Sequence, residues 1–296
     1  MPRVAWGLFN MLVPGDQRPN AELLAMTEAG NDVQAEIPLA GILTRSAFIQ
    51  LGRLTSRYLR LQLDVGPGLP EAPALVVLNH GFGTFADLNV LIGADIIDRL
   101  GYGPAAPTVL LTHSLAWTLK VGPLLEPAGF RPANYDTALR ALRAGMTVFV
   151  MPGGDLDGSK PWGKRNQVSF NGRSGFARLA QQAGVPIAPI VVTGAGDTLL
   201  TLTDGSRIAE RVGLARAFRL KTLPISFALP WGLNVCTALV GYLPWPAKMR
   251  ARVLAPVTVD HHDDPAEAAQ EIENVMNAAA SEMTAGRNPY LDWLRG

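Results

Sequence analysis

The sequence predicts an α/β fold with a mostly parallel central sheet covered by helices. Three observations point there. Short unbroken apolar runs, Ala74–Leu78, Thr108–Thr112, Thr147–Met151 and Pro186–Thr193, read as strands buried on both faces. Between them lie stretches with apolar residues at helical spacing, the alternation that builds parallel sheets. Of the 296 residues, 48% are hydrophobic and 17% charged, which is ample apolar mass for a core and too little charge for a disordered chain.

We read the chain as one domain in four stretches, of which residues 1–65 are an N-terminal helical region. Met1–Val13 carries Arg3 and an apolar run, but Asn10 and Pro14 interrupt it and no small-x-small cleavage pattern follows, so it does not read as a signal peptide. Ile42–Leu63 reads as a helix with Leu43, Ile49, Leu54 and Tyr58 on an apolar side. Its charges are Arg45, Arg53, Arg57 and Arg60, with no acid among them. Such a helix either lies on lipid or packs as an ordinary surface helix.

Residues 70–200 form the core. After the turn Gly66-Pro67-Gly68-Leu69-Pro70 come the first strand, a helix over Leu88–Leu100, the second strand and a helix around Ser114–Lys120. A helix over Tyr135–Arg143 stops at Gly145, the third strand ends at Pro152-Gly153-Gly154-Asp155, and a helix over Ser174–Gln182 stops at Gly184 before the fourth strand.

Residues 207–252 pair an apolar run with cations. Thr222–Ala247 is 26 residues long without a charge, and Pro224, Pro230, Pro244 and Pro246 confine any unbroken helix to about Trp231–Leu243, too short to cross a bilayer. Eight basic residues against Glu210 alone give 207–252 a charge of +7, in a chain whose formal net charge is +1. That suits docking on an anionic membrane surface; a buried, proline-broken segment ringed by solvated charges is the alternative. A terminal strand is expected after Lys248. Residues 264–285 form the last helix, with Asp264 as N-cap, Pro265 at the first position, Glu267 completing a capping-box-like start, and Ile272, Val275, Met276, Ala279 and Met283 on one face. Asp260-His261-His262-Asp263-Asp264 then reads as the polar loop feeding that helix, and no metal site is expected.

In open parallel sheets, sites lie beyond the carboxyl ends of the strands. Two such ends are unusual: Asn79-His80-Gly81-Phe82-Gly83-Thr84-Phe85-Ala86-Asp87 and Met151-Pro152-Gly153-Gly154-Asp155. A His held by a carboxylate can take a proton from a hydroxyl near neutral pH. Asp87 is the candidate partner of His80, but seven residues of helix rise about 10 Å. Pairing therefore requires Gly81 and Gly83 to fold the loop back; a structural histidine capping a helix is the other reading. His113 reads as a cap or core residue, Asp197 and Thr198 as a loop turn that could line the site, and Cys236, the single cysteine, as packing. One cysteine excludes a disulfide framework, and the small net charge suggests no nucleic-acid partner.

His80 to Asp87, Gly129-Phe130-Arg131, Phe149-Val150-Met151-Pro152-Gly153-Gly154, Gly172-Arg173-Ser174-Gly175-Phe176-Ala177-Arg178-Leu179-Ala180 and Gly184-Val185-Pro186-Ile187-Ala188-Pro189-Ile190 occur in one order. This order resembles the glycerolipid acyltransferase superfamily of the lysophosphatidate acyltransferase type, most closely its diacylglycerol acyltransferase-like branch, over roughly residues 74–193. The resemblance implies that His80 deprotonates an acceptor hydroxyl and that Asp87 orients it. It places Arg131 and Arg173 near substrate phosphates, and Gly153 and Gly154 where backbone approaches a headgroup or thioester oxygen. Salt bridges are the alternative reading of the two arginines, and a tight turn that of the two glycines. The implied partners are a lipid acceptor and an acyl thioester donor, acyl-CoA or acyl carrier protein, as co-substrate with no cofactor. The implied location is cytoplasmic, peripherally on a membrane, and the oligomeric state stays open.

Two departures stand out. The spacing from His80 to Asp87 exceeds the common family spacing. The Pro-Glu-Gly-Thr-Arg-like block of phosphatidate-forming members is replaced by Pro152-Gly153-Gly154-Asp155-Leu156, and Asp155 and Asp157 are expected to repel a phosphate there, favouring a less anionic acceptor. Two other functions compete with acyl transfer. An α/β-hydrolase-like esterase is suggested by His80-Gly81 after a strand, but no G-x-S-x-G occurs, and Ser174 in Gly-Arg-Ser-Gly-Phe does not make a nucleophile elbow. A catalytically silent lipid-binding protein is the third.

Overall fold

The computed structural model describes residues 39–83, 87–118, 120–214, 220–235, 237 and 241–296. The readings made for Met1–Val13, the loop residues Thr84, Phe85 and Ala86, Arg216, Arg219 and Cys236 lie outside them. Ten described strands run in chain order: β1 (Gln62–Asp64), β2 (Leu75–Leu78), β3 (Thr108–Thr112), β4 (Phe130–Pro132), β5 (Thr147–Val150), β6 (Ile187–Thr193), β7 (Leu200–Thr203), β8 (Ile225–Ala228), β9 (Gly232–Asn234) and β10 (Arg250–Val253). Seven make the main sheet in the order β1-β10-β6-β2-β5-β3-β4. β6, β2, β5, β3 and β4 are parallel, and β10 joins β6 antiparallel.

Among the described helices are α1 (Leu39–Tyr58), α2 (Leu88–Arg99), α3 (Tyr135–Arg143), the single turn α4 (Gly154–Asp157), α5 (Gly175–Ala183), α6 (Pro265–Thr284) and α7 (Pro289–Arg295). The pleat of β2 divides the core between two faces. Leu75 and Val77 pack with Leu142 of α3, Phe176 of α5 and Ile272 of α6. Val76 and Leu78 pack on the other face with Ile92 and Ile96 of α2. Both faces are covered, so the strands can be apolar throughout. Asp264 caps α6 by accepting the Ala266 N–H, and the polar loop before it feeds that helix, with Asp260 N–H donating to Asp263.

Three expectations need correction. The first helix ends at Tyr58, not Leu63. Arg60 takes a left-handed backbone (φ 49°), Leu61 N–H reaches back to Ser56 O, and the chain leaves as β1 along β10. The helix also turns its leucines the other way. Gly41, Arg45, Ile49, Gly52 and Ser56 face inward, while Leu43 and Leu54 are exposed. Buried Arg45 donates to Ala106 O at 2.7 Å and Thr108 O at 2.7 Å, and burial pulls its guanidinium down to about 10.

No unbroken helix runs over Trp231–Leu243, because Gly232–Asn234 is a strand. It pairs with Ile225–Ala228 as a hairpin, β9 with β8, which continues an antiparallel sheet with β7. Gly232 (φ 66°) supplies the left-handed turn residue after Pro230 and Trp231 that a tight reversal needs. No described helix is long and apolar enough to cross a membrane. The +7 stretch is not one surface either. Arg252 pairs with Asp64 at 3.0 Å and Glu282 at 2.9 Å, and Arg250 donates to Met283 O, both on the main sheet.

Candidate active site

The carboxyl end of β2 sits between β5 and β6. Asn79 continues the strand's pairing with its side chain: its amide N–H donates to Val192 O at 2.9 Å, and its carbonyl accepts from Val192 N–H at 2.8 Å. Asn89, from α2, donates to Asn79 O at 3.0 Å. The backbone that delivers His80 is therefore tied to β6 and α2 before the ring begins.

His80 Nδ1 lies 2.7 Å from Asp87 Oδ2, which closes the seven-residue gap. Asp87 is the N-cap of α2, accepting Asn89 N–H at 2.8 Å, and it also accepts Gly81 N–H at 3.1 Å. Gly81 has to be glycine: a Cβ there would lie 2.8 Å from Ala195 Cβ and 2.9 Å from Asp87 Oδ1. Gly83 takes φ 114° and donates to Gly158 O, so the loop folds back against the turn after β5. The cap of α2 is Asp87 and not His80, and the same carboxylate holds the imidazole.

Burial depresses the His80 pKa, but the hydrogen bond and charge of Asp87, with the charge of Asp157, outweigh it and leave it raised above the ordinary histidine value. A carboxylate at Nδ1 accepts a proton there, which puts the lone pair on Nε2. Nε2 has no hydrogen-bond partner among the described residues, and the side chain keeps 16% exposure.

A second carboxylate holds the backbone of the same residue. Asp157, at the end of α4, accepts His80 N–H at 2.8 Å on one oxygen; on the other it accepts Lys160 Nζ at 2.7 Å and Ser169 N–H at 3.1 Å. Lys160 is buried and also donates to Gln167 O at 2.6 Å. Asp155 is buried too, 3.7 Å from Arg173 and accepting Lys221 N–H. Each carboxylate is thus faced by a cation from the same chain, Asp157 by Lys160 and Asp155 by Arg173.

Two family models match the chain. One, described as acyltransferase, covers residues 62–193; the other, described as diacylglycerol acyltransferase, covers residues 130–283, more than half of the 296. The chain belongs to the diacylglycerol acyltransferase family. It is an O-acyltransferase with a lipid acceptor and an acyl donor as substrates. Among solved structures it is similar to the 1-acyl-sn-glycerophosphate (LPA) acyltransferase PlsC from Thermotoga maritima. The identity is 15% and the TM-score 0.49, over 81% of this chain and 80% of that one. Curated protein sequences give no match.

In this acyltransferase His80, Asp87, Gly153, Gly154 and Arg173 gather where β2 and β5 end. Gly153 and Gly154 are glycine for packing. A Cβ on Gly153 would strike Asp157 and the Ser169 carbonyl, and one on Gly154 (φ 60°) would strike the Arg173 guanidinium. Arg173 donates to Pro152 O at 2.9 Å and keeps 39% exposure beside Asp155. Arg131 does not join them. It lies on the edge strand β4, three strands and roughly 14 Å from β2, and donates to the carbonyls of Glu126 and Phe130. Asp197 is a buried clamp for Arg165 and Arg287. The bracing roles of Asn79, Asp157 and Lys160 are what the sequence reading missed. Asn79 directly precedes His80 at a strand end, which was a usable signal, whereas Asp157 and Lys160 look like any pair on a polar turn.

Proposed function

We propose that this acyltransferase moves a fatty acyl group from an acyl thioester, acyl-CoA or acyl carrier protein, to a hydroxyl of a glycerolipid or other lipid alcohol, with His80 as general base. One observation carries the reading: a ring fixed by Asp87 at 2.7 Å whose other nitrogen has no described partner. Nε2 takes the proton of the acceptor hydroxyl as its oxygen attacks the thioester carbonyl carbon. When the tetrahedral intermediate collapses the C–S bond breaks, and the imidazolium returns the proton to the leaving thiolate. Asp87 keeps the ring in the productive tautomer and stabilises its charged form between the two transfers.

No covalent acyl-enzyme and no cofactor enter this scheme. Exposed Arg173 is the proposed contact for a phosphate of donor or acceptor, with the backbone at Gly153 and Gly154 beside it; Arg131, if it binds, does so at a distance from the reacting bond. The reaction is placed at the cytoplasmic surface of a membrane, where a lipid alcohol resides. Labelled acyl-CoA with a panel of lipid alcohols tests the scheme by mass spectrometry of the products. His80→Ala should lower turnover by about 10²–10⁴-fold, and Ser174→Ala should leave it intact. Ester hydrolysis that depends on Ser174, or transfer that survives His80→Ala, overturns the proposal.

A further inference from the structure

We infer that this acyltransferase docks on an anionic lipid bilayer through one composite apolar face: the outer side of the sheet β7-β8-β9 together with the outward stripe of α1. The inference rests on the lipid-acceptor reading above and adds the surface that meets the lipid.

The pleat of the small sheet separates two environments. Ser226 and Ala228 point inward, and Ala228 packs with Phe82, Leu199 and Tyr242, against the His80–Asp87 loop. Phe227 and Leu233 are directly opposite each other across β8 and β9 and face outward. Leu233 is 65% exposed and Trp231, at the hairpin turn, 51%. An antiparallel sheet with one solvated face ordinarily carries polar residues on that face; this one carries an aromatic and leucines.

The helix repeats the inversion. α1 packs by its small residues and Arg45, and presents Leu43 and Leu54, each 62% exposed, on the side away from the core. The two halves meet. Tyr58, at the end of α1, donates its hydroxyl to Pro244 O at 2.9 Å, and the neighbouring Leu243 bridges to Leu229 at the end of the hairpin strand. An apolar belt of this extent marks an interaction surface.

Charge selects the occupant. Arg57 on α1, Arg207 and Arg211 on the short helix after β7 (Ser206–Arg211), and Lys221 before β8 flank both halves, against Asp204 and Glu210 as the acids beside that short helix. None of their side chains is ion-paired among the described residues, whereas Arg53, Arg250 and Arg252 are. A second copy of the chain across a two-fold axis would bring these like charges together. Anionic headgroups around a buried apolar face satisfy both properties.

The test is flotation of the full-length protein with phosphatidylcholine vesicles, with and without phosphatidylglycerol, at low and high salt. Two exposed-site pairs are compared, Trp231→Ser/Leu233→Ser and Leu43→Ser/Leu54→Ser. Each should cut vesicle binding by about tenfold or more, with thermal melts and turnover of a soluble short-chain acceptor unchanged, and wild-type binding should need phosphatidylglycerol and fall with salt. Binding unchanged in either pair overturns the composite face, because something else then covers that half. So does indifference to lipid charge, or a pair that alters oligomeric state by light scattering without altering vesicle binding. Failure here is separable from failure of the reaction. His80→Ala protein should still float with the vesicles; a wild type that floats without transferring acyl groups sinks only the catalytic scheme, and turnover without flotation sinks only the docking face.

Discussion

His80 is held from both ends: its ring by Asp87 and its peptide by Asp157, with Asn79 and Asn89 fixing the residue before it. The sign of its pKa shift makes a prediction. A base acts when neutral, so turnover should rise with pH through a midpoint above the ordinary histidine value, since Asp87 and Asp157 together outweigh burial and the opposing charge of Lys160. The same shift stabilises the fold at acid pH, in full below the unfolded value and fading as pH climbs through the folded one. Asp87→Asn removes the largest upward influence. The pH–rate midpoint should move to lower pH while kcat drops about 10²-fold or more. A lower kcat with an unmoved midpoint would mean that Asp87 only caps α2. The histidine and the folding-back of its loop were readable because glycines at 81 and 83 permit the backbone conformations and close approach that such a reversal needs. Asp157 and Lys160 were not: an acid and a lysine three apart on a polar turn become a buried brace only once β5 delivers that turn beneath His80.

At the scale of elements, strand and helix positions followed from apolar runs and stop signals, and the misread elements share one cause. Periodicity tells which residues lie on one side, not which side is inside. In α1 the sequence leaves open whether the leucines meet lipid or core; Gly52 sits where a Cβ would strike the Leu91 carbonyl of α2, so small residues set the approach and the leucines are left outside. The hairpin was misread for a related reason: proline spacing excluded a long helix but said nothing of a strand pair whose outer face is apolar. The close approach has a measurable consequence. Gly52→Ala should cost about 1–3 kcal/mol in urea unfolding, because the obstacle is backbone. Gly163→Ala, with nothing within 4 Å of its Cβ, should change stability by less than about 0.5 kcal/mol. Equal effects would show that the two helices slide apart freely.

Across the whole molecule, three layers meet near the proposed base: the main sheet that presents His80, the small sheet that covers the loop, and the C-terminal segment that pins the chain after β6. Asp197 is where the C-terminal segment is joined to the chain after β6. It follows β6, which neighbours β2, and takes Arg165 at 2.6 Å and Arg287 at 2.9 Å, while Tyr290 O–H donates to its carbonyl at 2.9 Å. Its two arginines are not equivalent. Arg287 is buried, and desolvation lowers its pKa despite the opposing pull of Asp197, so its charge depends on that carboxylate. Arg165 is partly exposed and stacks on Trp162. Removing Asp197 strands a buried cation, which costs about 3–5 kcal/mol, while losing the more solvated arginine costs roughly 1 kcal/mol. Urea unfolding should therefore rank Asp197→Ala well below Arg165→Ala in stability. If the two variants melt together, water reaches Arg287 and the C-terminal segment is held by α7 packing instead, with Trp293 donating to Tyr58 O as its main anchor.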